Sequence, residues 1–148
     1  MQVTRAGEYG IIGLLYLARQ PENRTVMIDE ISESENIPKS FLAKILQSLS
    51  KGGFVRSVRG ARGGFRLAKP PADITVLQIL QCVENGFALQ KCVANHPECV
   101  VAERRMSGCA LCGIFGEAQD RVNEVFSRTT LAQLLKQQPK RPTTHASH

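Results

Sequence analysis

The sequence predicts a mainly α-helical protein with a small β-hairpin wing: a winged helix-turn-helix followed by a long C-terminal dimerisation helix. Three patterns predict this fold: apolar residues at helical spacing in the first third, a glycine-rich hairpin after them, and a heptad seam near the end. The 148 residues are 43% hydrophobic and 22% charged, which fits one domain with a modest core. Collagen-like, disordered and disulfide-scaffold proteins are excluded by this composition.

Three helices are predicted in the first third of the chain. Thr4 is suited to cap a first helix over Arg5–Arg19, and a second helix fits Ile28–Glu35. A third helix begins at Pro38, whose fixed φ suits a first helical position, and ends before Gly52. Its polar and cationic side comprises Lys39, Ser40, Ala43, Lys44 and Gln47.

The second and third helices are joined by a tight turn, which favours a helix-turn-helix whose second helix can lie in the major groove. An ordinary helical hairpin would share this periodicity, so the following segment decides between them. Strand-like runs over Phe54–Arg59 and Phe65–Leu67 flank the glycine-rich stretch Gly60–Gly64. We therefore predict a β-hairpin wing whose arginines can reach phosphates or a narrow minor groove.

Positive charge is concentrated in the middle of the chain. The net charge is +6, yet between Glu35 and Asp73 there is no acidic residue. The cations in that interval are Lys39, Lys44, Lys51, Arg56, Arg59, Arg62, Arg66 and Lys69. A polyanionic partner would supply the missing negative charge, and double-stranded DNA is the partner we predict. A solvated basic face and membrane phospholipid are the alternatives, and the latter is weakened because no amphipathic basic helix carries the cluster.

The second half contains a helix, a loop and a heptad seam. Thr75 can cap a fourth helix, in which Cys82 is predicted to be a small core residue. A long loop follows, and the apolar seam after it comprises Leu111, Phe115, Ala118, Val122 and Val125. Such a seam needs a partner, which we expect to be partly the chain's own core and partly a second copy, giving a two-fold homodimer. A short helix over Leu131–Leu135 ends the fold.

These elements define four predicted parts. Residues 1–84 form the DNA-binding domain, 85–110 a cysteine-bearing loop, 111–135 the dimerisation and terminal helices, and 136–148 a disordered tail. The longest apolar stretch, Gly10–Ala18, is nine residues, about half of what a bilayer crossing requires. No membrane span or signal peptide is predicted, so we expect a cytoplasmic protein. In a reducing compartment the five cysteines favour metal binding or redox chemistry over disulfides.

Four of the five cysteines are close together in sequence, with six, nine and two residues between successive members: Cys92, Cys99, Cys109 and Cys112. A multi-thiolate metal centre could anchor the irregular loop that they flank. Structural zinc prefers two C-x-x-C pairs, and only one is present. A thioredoxin-type pair would need a βαβ context. An iron–sulfur cluster accepts looser spacing, and the loop residue His96 is a further candidate ligand.

Segments 4–9 (TRAGEY), 37–42 (IPKSFL) and 53–65 (GFVRSVRGARGGF) resemble the signature of the Rrf-two family of regulators. The resemblance extends to about Leu135. It implies a homodimeric winged helix-turn-helix that binds a palindromic operator, with a long helix crossing to the other subunit and a cysteine loop that holds a cluster in many members.

The resemblance also implies a ligand set. By position, Cys92, Cys99 and Cys109 match the family's three cluster cysteines, and Cys112 falls where one branch has a histidine. Glu8 stands where some members supply a carboxylate from the opposite subunit, although a first-turn carboxylate also favours the helix dipole. Four thiolates favour a four-iron, four-sulfur cluster, whereas a mixed cysteine and carboxylate set could hold a two-iron, two-sulfur cluster.

Together the patterns and the family resemblance imply a DNA-binding transcriptional repressor whose operator affinity is controlled by an iron–sulfur cluster sensing redox state, nitric oxide or iron. Ser40, Lys44 and Gln47 are expected to face base edges or nearby phosphate. Arg59 and Arg62 are expected in the minor groove, and Lys39 and Arg56 on phosphates. The alternatives are a redox or electron-transfer protein and a zinc-stabilised adaptor. An enzyme is not expected, because no GxSxG, HExxH or P-loop motif is present.

Overall fold

The fold was analysed in a computed structural model, which describes residues 3–89 and 110–138. Those ranges contain six α-helices, one β-hairpin and a single 3₁₀ turn. The elements are α1 (Arg5–Ala18), α2 (Ile28–Glu35), α3 (Lys39–Lys51), β1 (Val55–Val58), β2 (Gly64–Leu67), the 3₁₀ turn (Pro71–Asp73), α4 (Val76–Val83), α5 (Ala110–Arg128) and α6 (Leu131–Gln137).

The boundaries of the first three helices follow from their capping residues. The Thr4 hydroxyl accepts a hydrogen bond from the Gly7 backbone N–H (3.2 Å) and caps α1. Asn36 adopts the left-handed conformation (φ 53°) and ends α2. The prediction that α3 begins at Pro38 was wrong by one residue, because Pro38 has an extended backbone (ψ 126°) and occupies the N-cap position.

The wing is an antiparallel hairpin in which Arg56 lies opposite Arg66 and Val55 opposite Leu67. Val26, just before α2, adds a third short pairing, because its N–H and carbonyl both hydrogen-bond to Phe65 (2.8 and 2.7 Å). Gly64 has a φ of +153°, and a Cβ there would overlap the Val26 carbonyl oxygen. Glycine is therefore required where the hairpin meets the isolated β-bridge at Val26.

The core forms around α1, which packs against α3, α4 and α6. Fully buried side chains from these four helices meet there: Leu14, Leu42, Leu46, Ile79 and Leu131. Tyr9 and Phe41 make an edge-to-face contact between α1 and α3, with ring centroids 5.7 Å apart. The orientation of α3 on the domain is thus fixed by its apolar side.

The C-terminal helices are tied back to this core. Capping boxes begin both α4, at Thr75, and α6, at Thr130. These two threonines form a β-bridge, which places the start of α6 beside the start of α4. Because α6 extends to Gln137, the predicted disordered tail does not begin at residue 136. Residues 90–109 of the predicted loop and 139–148 of the predicted tail lie outside the described residues.

No helix in the described ranges combines the length and the hydrophobicity needed to cross a bilayer.

Candidate nucleic-acid interface

Helix α3 separates its apolar and polar side chains cleanly. Leu42, Ile45, Leu46 and Leu49 are buried. The remaining side of the helix is exposed at Lys39, Ser40, Ala43, Lys44 and Gln47. The three residues predicted to face base edges, Ser40, Lys44 and Gln47, therefore share one accessible side of the helix. A helix of this diameter fits the major groove of B-DNA.

The wing carries exposed arginines next to this helix. β1 packs against α3, so the hairpin and the polar helix face belong to one rigid unit. Arg56 lies on β1, whereas Arg59 and Arg62 lie in the turn between the strands, and all three are exposed. The turn is closed by a hydrogen bond from the Gly63 N–H to the Gly60 carbonyl (2.9 Å). The predicted minor-groove residues thus occupy the tip and the predicted phosphate contact occupies the strand.

Most of the cations in this unit have no carboxylate partner among the described residues. Of the eight in the basic interval, only Lys39 forms an ion pair, with Asp29 of α2. Lys69 lies over the Phe54 ring, 4.9 Å from its centroid. Arg56 and Arg66 face each other across the hairpin, an arrangement that is unfavourable without an anion nearby. The surface is therefore suited to a polyanion. Lys39 is the predicted DNA contact that would have to exchange an existing ion pair, with Asp29, for a phosphate.

The predicted metal ligands are placed only in part. Cys112 is half-buried in the first turn of α5, where a helix N-terminus stabilises a thiolate. Cys92, Cys99 and Cys109, together with His96, lie outside the described residues. Within the described ranges, no three His, Cys, Asp or Glu side chains converge in a way that could hold a metal ion.

Glu8 lies in the first turn of α1, with its side chain 50% exposed. Its carboxylate pairs with Arg5 at 3.2 Å, the interaction expected of a first-turn helix residue. It also lines an open cavity of about 480 Å³ together with Val3, Thr4 and Arg5. The carboxylate is therefore accessible to a group brought by a second subunit.

Cys82 occupies a different environment from the predicted ligands. Its side chain packs against the core, as predicted, and its Sγ donates to the Ser48 carbonyl of α3 (3.3 Å). Burial raises the pKa of the Cys82 thiol. Cys82 is therefore a poor nucleophile and a suitable negative control for cysteine chemistry.

The segment that leads from the end of α4 into the cysteine loop, residues 84–89, contacts both helices that bear the candidate ligands. The Glu84 carboxylate accepts hydrogen bonds from the Thr4 N–H and hydroxyl (2.9 Å each) at the start of α1. The Phe87 ring lies against Phe126 of α5, with centroids 5.6 Å apart. We call residues 84–89 the loop-entry segment.

The residues of the predicted dimer seam lie within one arc of about 80° on α5 but differ in exposure. Leu111 and Val125 are 62% and 51% exposed, whereas Phe115, Ala118 and Val122 are half-buried. Ile114, which sequence analysis did not select, is 65% exposed. At about 100° per residue, Ile114 lies on the same side as Leu111 and Val125. We call these three residues the exposed apolar stripe.

A helix-turn-helix with a three-residue polar face, followed by an arginine-bearing hairpin, defines the class of winged helix-turn-helix DNA-binding regulators. The family profile described as "Rrf2: Iron-dependent Transcriptional regulator" matches residues 3–137. The chain belongs to the Rrf2 family, the Rrf-two regulators that its motifs resemble. This confirms the predicted family, and the chain is a transcriptional regulator rather than an enzyme.

Individual relatives agree with this assignment. The chain is 34% identical over 137 residues to the HTH-type transcriptional regulator NsrR of Geobacillus kaustophilus, covering 92% of this chain and 90% of that one. T. potens IscR has a TM-score of 0.70 at 27% identity, covering 93% and 88%. CymR of B. subtilis, described as the global cysteine regulator, has a TM-score of 0.73 at 24% identity, covering 94% and 99%. These structures confirm the predicted mainly helical winged fold.

Three residues at or near the site were not predicted from the sequence: Glu84, Gln119 and Ile114. Glu84 follows α4 directly, and no local pattern links it to Thr4, 80 residues away. Gln119 is buried in α5, although a glutamine on a polar helix is usually exposed. The exposure of Ile114 could have been anticipated from its three-residue spacing after Leu111.

Proposed function

We propose that two copies of this chain form a repressor that binds a duplex operator through α3 and the wing. An iron–sulfur cluster on Cys92, Cys99, Cys109 and Cys112 controls its affinity. The observation that carries the DNA-binding part is the joint exposure of the polar α3 face and of the wing residues Arg56, Arg59 and Arg62. These three arginines pair with no described carboxylate. Membership of the Rrf2 family supports transcriptional regulation.

In this proposal the residues of α3 and those of the wing contact different grooves of the duplex. Ser40, Lys44 and Gln47 enter the major groove, where their hydroxyl, ammonium and amide groups meet base edges or adjacent phosphates. Arg59 and Arg62 extend from the wing tip into the flanking minor groove. Two half-sites on one face of DNA lie about 34 Å apart, so operator affinity depends on how the two subunits are spaced.

The donor set fits an iron–sulfur cluster by its chemistry. Cys112 has a thiol at a helix N-terminus, which lowers the cost of the thiolate needed for ligation. Cys109 directly precedes α5 in sequence, so the C-x-x-C pair can serve one centre. The cluster supplies a centre whose charge and integrity change with electrons, oxidants or nitric oxide. Relatives named NsrR and IscR support the assignment.

Glu8 competes with Cys112 for the fourth position. Its exposure and the open space beside it favour access from another subunit, whereas its ion pair with Arg5 must be given up on ligation. Four cysteines therefore remain the favoured set, with a four-iron, four-sulfur cluster. Ligation by Glu8 instead of Cys112 would correspond to a two-iron cluster.

Anaerobic purification followed by a visible absorption spectrum and by iron and sulfide analysis tests the cluster. We expect a coloured protein whose iron and sulfide fall on Ala substitution of Cys92, Cys99 or Cys109, and remain in the matched control Cys82→Ala. Comparing Cys112→Ala with Glu8→Gln identifies the fourth ligand. A colourless protein that contains zinc would contradict the cluster and support the zinc-stabilised alternative. Colourless, metal-free protein after reconstitution would leave cysteine-based regulation.

A further inference from the structure

Among the described side chains of α5, the most deeply buried is a polar one, that of Gln119. In the ranges that the structure describes, it is the one polar side chain classed as buried, at 4% exposure. The exposed apolar stripe of the same helix, Leu111, Ile114 and Val125, faces solvent. A helix that leaves isoleucine and valine exposed while burying an amide has not been oriented by hydrophobicity alone. The amide must be fixed by a specific partner, because an unpaired buried amide is costly.

The partner is the backbone of the loop-entry segment. The Leu89 N–H donates to Gln119 Oε1 at 2.6 Å, and Gln119 Nε2 donates to Asn123 Oδ1 at 2.8 Å. The contact between Phe87 and Phe126 lies on the same helix, about two turns further on. The two contacts together hold the segment that leads towards Cys92 against the second half of α5.

The other end of the same segment is fastened to α1. Glu84 accepts from the Thr4 N–H and hydroxyl, and a Cβ at Gly7 would overlap its carboxylate. A displacement of the loop-entry segment toward or away from α1 is therefore restricted by this second tie. Of the two ties, only that of Gln119 acts on the helix that carries the exposed apolar stripe.

We propose that Gln119 is a positioning residue that couples the cysteine loop to the rotation of α5. This inference rests on the proposed function, in which that helix meets a second subunit. When the loop-entry segment holds its place, Gln119 is paired and α5 is held with this side inward. When the segment moves, the amide loses its N–H donor and reaches water by a rotation of the helix.

Such a rotation would act on the dimer interface because of the angular arrangement of α5. At 100° per residue, Gln119 lies about 80° from Leu111, about 120° from Val125 and about 140° from Ile114 around the helix. Turning Gln119 outward therefore turns the exposed apolar stripe by the same angle. The spacing of the two α3 helices changes with the packing of the two α5 helices, and operator affinity follows.

The test compares three variants in the full-length protein. Gln119→Met keeps the side-chain length and removes both the carbonyl acceptor and the NH₂ donor of the amide. Gln119→Glu keeps an acceptor for the Leu89 N–H and serves as the conservative rescue. Asn123→Ala is the matched control, since it removes the other partner of Gln119 on the same helix and leaves the loop tie. Each is prepared anaerobically in cluster-loaded and cluster-free form, with circular dichroism as a check on folding.

Two measurements decide the proposal. Hydrogen exchange of the peptide containing Leu89, in the cluster-free protein, is expected to be about 3- to 10-fold faster in Gln119→Met, the loss expected for one hydrogen bond. It should stay near the wild-type rate in Gln119→Glu and Asn123→Ala. The ratio of the dissociation constants of the loaded and cluster-free forms, on a duplex selected with the wild-type protein, should approach one in Gln119→Met only.

Unchanged exchange at Leu89 in Gln119→Met would show that no tie exists and overturn the inference. Faster exchange with an unchanged ratio would show a tie without coupling, and would equally overturn it. If the wild-type protein takes up no cluster or binds no duplex, the proposed function fails instead. In that case the exchange measurement still decides whether Gln119 holds the loop-entry segment.

Discussion

Removing one wing arginine should reduce the salt dependence of DNA binding by a calculable amount. We take Arg62→Gln as the perturbation, because Arg62 is exposed at the wing tip and has no ion pair with a described residue. The substitution removes a charge and keeps a polar side chain. It lies in a turn and contributes nothing to the buried core, so stability should change little.

The magnitude follows from the cations that are free to meet phosphate. Among the predicted DNA contacts these are Lys44, Arg56, Arg59 and Arg62, whereas Lys39 is omitted because it already pairs with Asp29. Each phosphate contact contributes about −0.9 to the log–log slope of affinity against salt, so a dimer with four contacts per subunit has a slope of about −7. Losing one contact per subunit brings the slope to about −5.4. Between 50 and 200 mM salt, the loss of affinity falls from about 2 × 10⁴-fold to about 2 × 10³-fold.

Fluorescence anisotropy of a labelled duplex, titrated at several salt concentrations, measures this slope. Arg128→Gln is the matched control, because it removes the same charge from an exposed position on α5 that is paired with Glu124. A slope near zero for the wild-type protein would refute DNA binding by this surface. An equal decrease for both variants would refute the assignment of the contact to the wing and leave only a net-charge effect.

Three further predictions concern the fold and its ionisation. Gly64→Ala should lower the free energy of unfolding in urea by about 2 kcal/mol or more, because the new Cβ overlaps the Val26 carbonyl and φ is positive; an equal loss in Gly60→Ala, which has open space, would attribute the effect to φ alone. Thr130→Ala should cost about 0.5–2 kcal/mol through the lost α6 capping box, and unchanged stability would exclude a role for this cap. Burial, and secondarily the hydrogen bond to Glu30, raises the pKa of Tyr16. The unfolded chain therefore ionises first, and the unfolding free energy should decline as pH rises past about 10. Tyr16→Phe should flatten that decline, and parallel pH profiles for the two proteins would contradict it.

Local chemistry accounts for the parts of the fold that the sequence predicts well. Thr4 and Asn36 are placed at helix ends by their own hydrogen bonding and backbone preference, which act within a few residues. The polar face of α3 follows from helical periodicity and needs no knowledge of the remaining chain. The predicted DNA-facing residues are accordingly exposed together, although their roles remain predictions until binding is measured.

Contacts between distant residues could not be read from such patterns. The pairing of Val26 with Phe65 involves a single residue on one side, too short for a strand pattern. The tie between Glu84 and Thr4 spans 80 residues, and the burial of Gln119 depends on a backbone N–H at position 89. Each of these contacts forms only because the folded chain brings distant residues together. Composition and residue spacing do not predict which distant residues will meet.

The uneven exposure of the heptad seam has a physical reason that bears on the proposed dimer. A heptad pattern selects every apolar residue within a broad arc, and it cannot distinguish the half facing the chain's own core from the half facing a partner. In the structure α5 packs against α4, which occupies part of that arc. The side left for a second copy is the one bearing Leu111, Ile114 and Val125. If α5 pairs with its symmetry mate as proposed, Ile114→Lys should weaken the dimer more than Phe115→Ala. Sedimentation equilibrium measures the dimer dissociation constant of each variant. A larger loss in Phe115→Ala than in Ile114→Lys would show that the dimer contact lies at the seam predicted from the sequence.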